Sequence, residues 1–208
     1  MKLSPNNIYH VFNRGNNRQK IFYQRKNYVR FLDKVKLLLF PVCDILAYCL
    51  MPNHFHFLIY ASEKTVMPFT RYSRNNPQQL KMSVFAHGIK QLLSGYTKVI
   101  NHQENRTGSL FSQNTKALQV SNENIFQDYA AWCFIYIHQN PLRGNLVKNL
   151  RDWEFSSYLD YSGIRKESIC NKSLASELLY FDQNKFPFME EKIVPDEILT
   201  SFENNEIE

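Results

Sequence analysis

Apolar residues recur along the chain either at every second position, as in strands, or at every three to four positions, as in amphipathic helices. Strands are predicted at residues 8–12, 44–50, 55–59 and 115–120, with a shorter piece at 109–111. Helices are predicted at residues 24–40 and 78–101, and from Ser121 or Asn122 to Asn140. The order strand, helix, strand, strand, helix, strand is that of a split βαβ unit. We therefore predict an α+β fold: a ferredoxin-like split βαβ core with an antiparallel sheet, plus an additional C-terminal helix.

The expected sheet has two different faces. The two long helices can pack on one face, which leaves the other for a ligand and the third helix. Ser121 or Asn122 is expected to cap the start of the third helix, and Pro141 to close its end. Residues 62–77 lack periodicity and are predicted to form a loop. This loop mixes cations with an aromatic residue, which suits either a single nucleic-acid strand or a solvated surface.

The apolar pattern weakens after about residue 150. Aromatic residues at four positions are spaced to dock on the core: Trp153, Phe155, Tyr158 and Tyr161. From residue 162 onward, Asn, Lys, Glu and Ser interrupt the apolar content. We expect one main domain over residues 1–161 and an extension over residues 162–208, with a mobile acidic tail from about residue 189.

Composition excludes several classes of protein. A hydrophobic fraction of 44% argues against disorder, and no apolar run reaches the length of a membrane span. The first residues lack the apolar stretch of a signal peptide, so a cytoplasmic location is expected. Four cysteines form no Cys-x-x-Cys pair. They are predicted to be reduced and mostly buried.

Charge is distributed unevenly along the chain. The net charge is +6, yet the last twenty residues carry seven acidic side chains against one lysine, so the rest of the chain is strongly basic. A basic body favours polyanion binding because neutralised phosphates supply affinity that is independent of sequence. Many basic proteins bind no nucleic acid, so the charge alone leaves this function open.

The most informative stretch is residues 51–60, which reads MPNHFHFLIY. Strand side chains alternate between faces, so His54 and His56 project together while Phe55 and Phe57 point to the core. Two convergent imidazoles form half of a metal site that suits Zn, Mn or Fe, or Mg with an added oxygen ligand. The alternative is two histidines on the polar face of a half-exposed strand.

Five ordered motifs together resemble the HUH single-tyrosine transposases, and most closely their REP-associated tyrosine transposase branch. The matching segments are residues 9–17 (YHVFNRGNN), 51–59 (MPNHFHFLI), 108–111 (GSLF), 136–143 (YIHQNPLR) and 153–158 (WEFSSY). They span residues 8–161, and the rest of the chain is not covered.

The resemblance implies metal-dependent cleavage and rejoining of single-stranded DNA beside hairpins. By this likeness Tyr136 is the nucleophile that forms a 5′-phosphotyrosine, with Tyr129 as the reserve candidate. His54 and His56 would hold a divalent metal, Mg or Mn, and Asn140 would be a further ligand or an orienting group. Side chains at six positions are candidate DNA contacts: Asn13, Arg14, Arg18, Arg71, Arg74 and Arg143.

The same likeness leaves several points open. Relatives include dimers, so a homodimer is possible; no phosphate-binding loop motif is present, so no ATP is expected. His10 and His138 are interpreted as structural or DNA-facing rather than as ligands. Two other functions remain: a transposase-derived protein that binds hairpin DNA or RNA without cutting it, and a metal hydrolase with no covalent protein intermediate.

Overall fold

The computed structural model describes residues 1–73, 76–121, 129–181, 186 and 192–207. Four strands form its central sheet: β1 (Asn7–Arg14), β2 (Asp44–Met51), β3 (His54–Ala61) and β6 (Lys116–Gln119). Their order in the sheet is β2-β3-β1-β6. All three pairings are antiparallel. The predicted α+β fold with an antiparallel split βαβ sheet is therefore confirmed.

One face of the sheet is covered by two long helices, α1 (Arg25–Leu38) and α3 (Val84–Gln103). The ring of Phe31 in α1 lies 5.4 Å from Phe55 of β3 and 5.0 Å from Tyr96 of α3. All three side chains are buried. The odd-numbered apolar residues of β3 thus face the main core, which leaves its even-numbered residues on the opposite face.

The opposite face carries α4 (Tyr129–Arg143), which packs on β2 and β3. The prediction that Pro141 ends this helix is wrong, because the helix continues to Arg143 with Pro141 inside it. Pro141 is tolerated because, two residues before the end of the helix, its missing N–H removes a single backbone hydrogen bond. Its side chain is buried. Asn122 lies outside the described residues. Ser121 instead accepts a hydrogen bond from the backbone N–H of Ile8 in β1.

The predicted loop at residues 62–77 is also wrong. The structure has a short helix α2 (Glu63–Val66) and a hairpin of β4 (Pro68–Ser73) and β5 (Asn76–Ser83), which form a separate two-stranded sheet. Consequently α3 begins at Val84, six residues later than expected at residue 78, and the side chain of Ser83 caps it. This hairpin lies outside the main sheet, so burial against the core does not impose alternating apolar and polar residues on it. The periodicity of the sequence therefore did not predict it.

Residues 153–171 run along the outer edge of β2 and cover it. The indole N–H of Trp153 donates to Leu50 O, the Tyr161 hydroxyl donates to Leu46 O, and the ring of Phe155 stacks on Tyr28 at 3.9 Å. These aromatic residues dock on the core as predicted. Two short helices follow, α5 (Tyr158–Tyr161) and α6 (Lys172–Leu178). The domain division at residue 161 stays a prediction.

A last helix, α7 (Asp196–Ile207), packs against α4. The sequence analysis predicted no helix here, because Ile198, Leu199 and Phe202 form a short apolar stripe. The mobility of the tail stays a prediction. All four cysteines are free and buried, as expected. Among the described residues, no helix is long and apolar enough to cross a membrane.

Candidate active site

His54 and His56 lie side by side on the face of β3 that α4 covers. Their ring centroids are 4.8 Å apart, and the two rings are nearly perpendicular. His56 is buried, whereas His54 is half-buried. The alternation of strand side chains produces this arrangement, since Phe55 between them enters the main core. The structure thus brings the two predicted ligands together.

Each of these rings is held by its Nδ1 atom. Nδ1 of His54 lies 2.7 Å from Oδ1 of Asn53, and Nδ1 of His56 lies 2.9 Å from Nε2 of His10. An amide oxygen can only accept a hydrogen bond, so Nδ1 of His54 donates and carries the proton. The lone pair of the His54 ring is therefore on Nε2, the nitrogen that a metal ligand would use.

The buried histidines are neutral at pH 7. Burial lowers the pKa of His56 to about 3, and a hydrogen bond to the Asn140 side chain partly opposes this effect. Burial also lowers the pKa of His10 well below its usual value, and the nearby His56 and His54 rings lower it further. Neutral imidazole is the form that coordinates metals, so the environment of His56 suits a ligand.

Tyr136 lies on α4 against the histidine pair. Its ring centroid is 5.9 Å from that of His56 and 6.3 Å from that of His10, in both cases edge to face. Asn140 follows one helical turn later, and its side-chain N–H donates to Tyr136 O at 3.0 Å. That bond uses an amide N–H of Asn140 and leaves its amide oxygen for another partner, and Asn140 also interacts with His56. The predicted nucleophile and the predicted metal ligands therefore converge within one chain.

A cavity of about 520 Å³ opens beside this cluster. His54 and His56 form part of its wall, and Arg14 lies directly opposite His54 in the β1–β3 register. Arg18 and Lys116 add further positive charge to the lining. A cavity with two histidines and three cations is suited to a phosphodiester, because the cations can neutralise the backbone charge.

The turn after β1, next to this cavity, is bonded to two distant segments of the chain. The backbone N–H of Gly15 donates to Asn53 O, and that of Asn16 donates to Leu110 O. Phe111 forms an isolated bridge with Gly15, so the predicted strand at residues 109–111 is reduced to this contact. These bonds join three of the motifs noted above, which are far apart in sequence.

Gly15→Ala is expected to destabilise the protein by about 2 kcal/mol or more, because the backbone is too close for a side chain. A Cβ atom at this position would lie 2.0 Å from Gln19 O. Urea unfolding would measure the change. Gly95→Ala is the matched control: no atom lies within 4 Å there, and alanine should stabilise α3 by about 0.5–1 kcal/mol. Equal effects at both positions would contradict this explanation.

The other predicted DNA contacts are placed unevenly. Asn13 lines the cavity but is buried, and its side-chain N–H donates to Thr115 Oγ1, which ties β1 to the segment directly before β6. Arg143 ion-pairs with Glu203 at 2.8 Å. Arg71 is exposed on β4 and does not line the cavity. Arg74 lies outside the described residues.

Two further candidates are engaged elsewhere on α4. The hydroxyl of Tyr129 lies 3.0 Å from Ser201 Oγ on α7. Nε2 of His138 lies 2.7 Å from Ser157 Oγ, next to the edge of β2. His138 thus contacts a residue at the edge of the sheet, whereas His10 contacts His56 of the histidine pair directly.

Sequence reasoning missed the contribution of α7. Phe202 is buried with its ring 4.9 Å from that of Tyr136, and Glu203 lines the cavity. The spacing of Ile198 and Phe202 was the available sign of a helix face, but it is too short to distinguish a helix from a coil.

The donor set decides which metals fit. Among the described residues, no three His, Cys, Asp or Glu side chains converge as a metal site. The group that does converge consists of two imidazoles and the amide of Asn140. This donor set leaves coordination positions open, so it differs from a closed structural zinc site, and it would fit a divalent metal that also binds water or phosphate oxygens.

The fold belongs to the class seen in tyrosine transposases, as a comparison with solved structures shows. A REP-associated tyrosine transposase bound to a REP hairpin has a similar structure, with a TM-score of 0.53 and 14% sequence identity. The similarity covers 81% of this chain and 87% of that one. No protein-family description and no curated protein matches the sequence. At this identity the likeness establishes the fold.

Proposed function

We propose that this protein cleaves and rejoins single-stranded DNA beside hairpins, with Tyr136 as the nucleophile. The observation that carries the proposal is the convergence of Tyr136 and Asn140 of α4 on the histidine pair of β3. These histidines line a cavity that Arg14 and Arg18 also line. The structural neighbour binds a REP hairpin. A similar fold with these residues at its centre supports the same class of substrate here.

The tyrosine requires help to react. A free phenol has a pKa near 10, so forming phenolate at pH 7 costs about 4 kcal/mol. A divalent cation, Mg or Mn, held by His54, His56 and Asn140 would draw charge from a phosphate oxygen and favour attack at phosphorus. Arg14 and Arg18 would hold the neighbouring phosphates in the cavity.

The chemistry forms one P–O bond and breaks another. The Tyr136 oxygen attacks phosphorus to form a 5′-phosphotyrosine, and the 3′ oxygen of the preceding nucleotide leaves as a free hydroxyl. A later attack by a 3′ hydroxyl releases the tyrosine and rejoins the strand. The covalent bond conserves the energy of the phosphodiester, so no ATP is needed.

Labelled single-stranded hairpin oligonucleotides from the flanks of the protein's own gene provide the test. The protein is incubated with them and Mg²⁺ or Mn²⁺, and the products are separated on a denaturing gel. A metal-dependent labelled adduct of the protein is expected. Turnover without any adduct would point to a hydrolase and contradict the proposal.

Helix α7 restricts access to Tyr136. Phe202 covers the tyrosine ring, Glu203 pairs with Arg143, and the Lys116 ammonium donates to Asn205 O at 2.9 Å. A DNA strand that reaches Tyr136 would have to compete with these contacts. The carboxylate of Glu203 pairs with Arg143, and a DNA phosphate would have to displace it to bind this arginine.

Phe202→Ala is expected to raise the yield of adduct several-fold, because losing a buried ring weakens the docking of α7 by about 3 kcal/mol. The adduct assay measures the change under limiting DNA. Asp196→Ala, at the exposed start of the same helix, should leave the yield unchanged. A lower yield in Phe202→Ala would mean that α7 supports the tyrosine instead of covering it.

The same coverage favours a second candidate, a hairpin-binding protein that does not cut. Tyr136 is only 3% exposed, and Arg143 is engaged by Glu203. Tight hairpin binding without adduct, in both the wild type and Phe202→Ala, would support this alternative.

A further inference from the structure

We propose that His10 is a positioning residue that holds the His56 ring in the orientation required of a metal ligand. This inference rests on the proposed function and adds a residue to its metal site. His10 lies on β1, two residues from Phe12, the cross-strand partner of His56. It therefore approaches His56 diagonally across the sheet, on the face that α4 covers.

The contact between the two rings is direct. Nε2 of His10 lies 2.9 Å from Nδ1 of His56, and the ring planes are 22° apart with centroids at 5.1 Å. This distance is that of a hydrogen bond. Since the bond uses Nδ1 of His56, a metal would be bound by Nε2, as at His54.

His10 is itself fixed on several sides. It is fully buried, with its ring 4.7 Å from Phe12, 6.0 Å from Phe202 and 6.3 Å from Tyr136. A ring packed in this way has little rotational freedom, so its Nε2 atom is a rigid partner for His56. Asn53 holds His54 in the equivalent manner, at the same ring nitrogen.

Outer partners of this kind act on metal affinity. A hydrogen bond to the second ring nitrogen sets the orientation and tautomer of a ligating histidine, and its loss weakens metal binding about 10- to 100-fold. Nδ1 of His10 has no hydrogen-bond partner among the described residues. Among the described residues, the hydrogen bond of the His10 side chain is thus the one to His56.

Mn²⁺ affinity, measured by electron paramagnetic resonance of the free ion during titration, tests the proposal without DNA. His10→Phe keeps the ring and its packing but removes the hydrogen bond, and we expect about 10- to 100-fold weaker binding. His10→Gln places an amide near the former Nε2 position and should remain within about threefold of the wild type. Val11→Ala changes the neighbouring buried side chain on the other face of β1. It should lower the melting temperature but leave the Mn²⁺ affinity unchanged.

A tautomer measurement adds a second test. In the metal-free protein, ¹⁵N chemical shifts of the His56 ring should report a proton on Nδ1, and this state should be lost or mixed in His10→Phe. Unchanged Mn²⁺ affinity in His10→Phe would overturn the role of His10. The proposed function would stand without a role for His10 if the wild-type protein still formed the DNA adduct. A wild-type protein that bound no Mn²⁺ would overturn both.

Discussion

Tyr136→Phe is expected to abolish covalent attachment of DNA, with adduct yield falling at least about a thousandfold. The substitution removes only the phenolic oxygen, which is the atom that forms the new bond to phosphorus. The ring remains to pack against His56 and Phe202, so the fold and the hairpin affinity should be preserved. Gel electrophoresis of labelled adduct and a parallel hairpin-binding titration would separate the two properties.

Tyr129→Phe is the matched control for this experiment. Tyr129 lies seven residues earlier on α4 and is half-buried, but its hydroxyl contacts Ser201 of α7 rather than the histidine pair. Adduct formation should therefore persist in Tyr129→Phe. The reverse result, with adduct retained in Tyr136→Phe and lost in Tyr129→Phe, would move the nucleophile to the reserve position.

His54→Ala is expected to lower adduct yield at least about a hundredfold at low Mn²⁺, because one of two imidazole ligands is removed. His54 is half-buried, so the truncation should cost little stability. Raising the Mn²⁺ concentration should recover part of the yield, since His56 and Asn140 remain. This recovery would distinguish a weakened metal site from a lost nucleophile.

The control for His54→Ala is His102→Ala, an exposed histidine near the end of α3 and outside the cavity. Its adduct yield and Mn²⁺ dependence should match those of the wild type. Full activity of His54→Ala at low Mn²⁺ would contradict its predicted role as a ligand. A fall that no Mn²⁺ concentration relieves would point to a structural role instead.

Much of the site follows from local periodicity. A period of two places His54 and His56 on one face of β3, and helical geometry places Asn140 one turn beyond Tyr136. Both relations involve residues close in sequence, so they hold in any fold that preserves the strand and the helix. The α+β class followed in the same way from the order of the elements. The hairpin of β4 and β5 could not be predicted from the order of the elements, because the stability of a strand depends on packing against other residues that local sequence patterns do not encode.

By itself, the sequence determined the order of the main strands and helices, the pairing of the two histidines and the basic character of the chain. Only the tertiary structure decided that His10 meets His56, because this contact depends on the register of β1 against β3. It also decided that Phe202 and Glu203 of α7 lie over Tyr136 and beside the cavity. Contacts between distant segments arise from the packing of whole elements, and a short apolar stripe such as that of α7 does not specify the surface on which it docks.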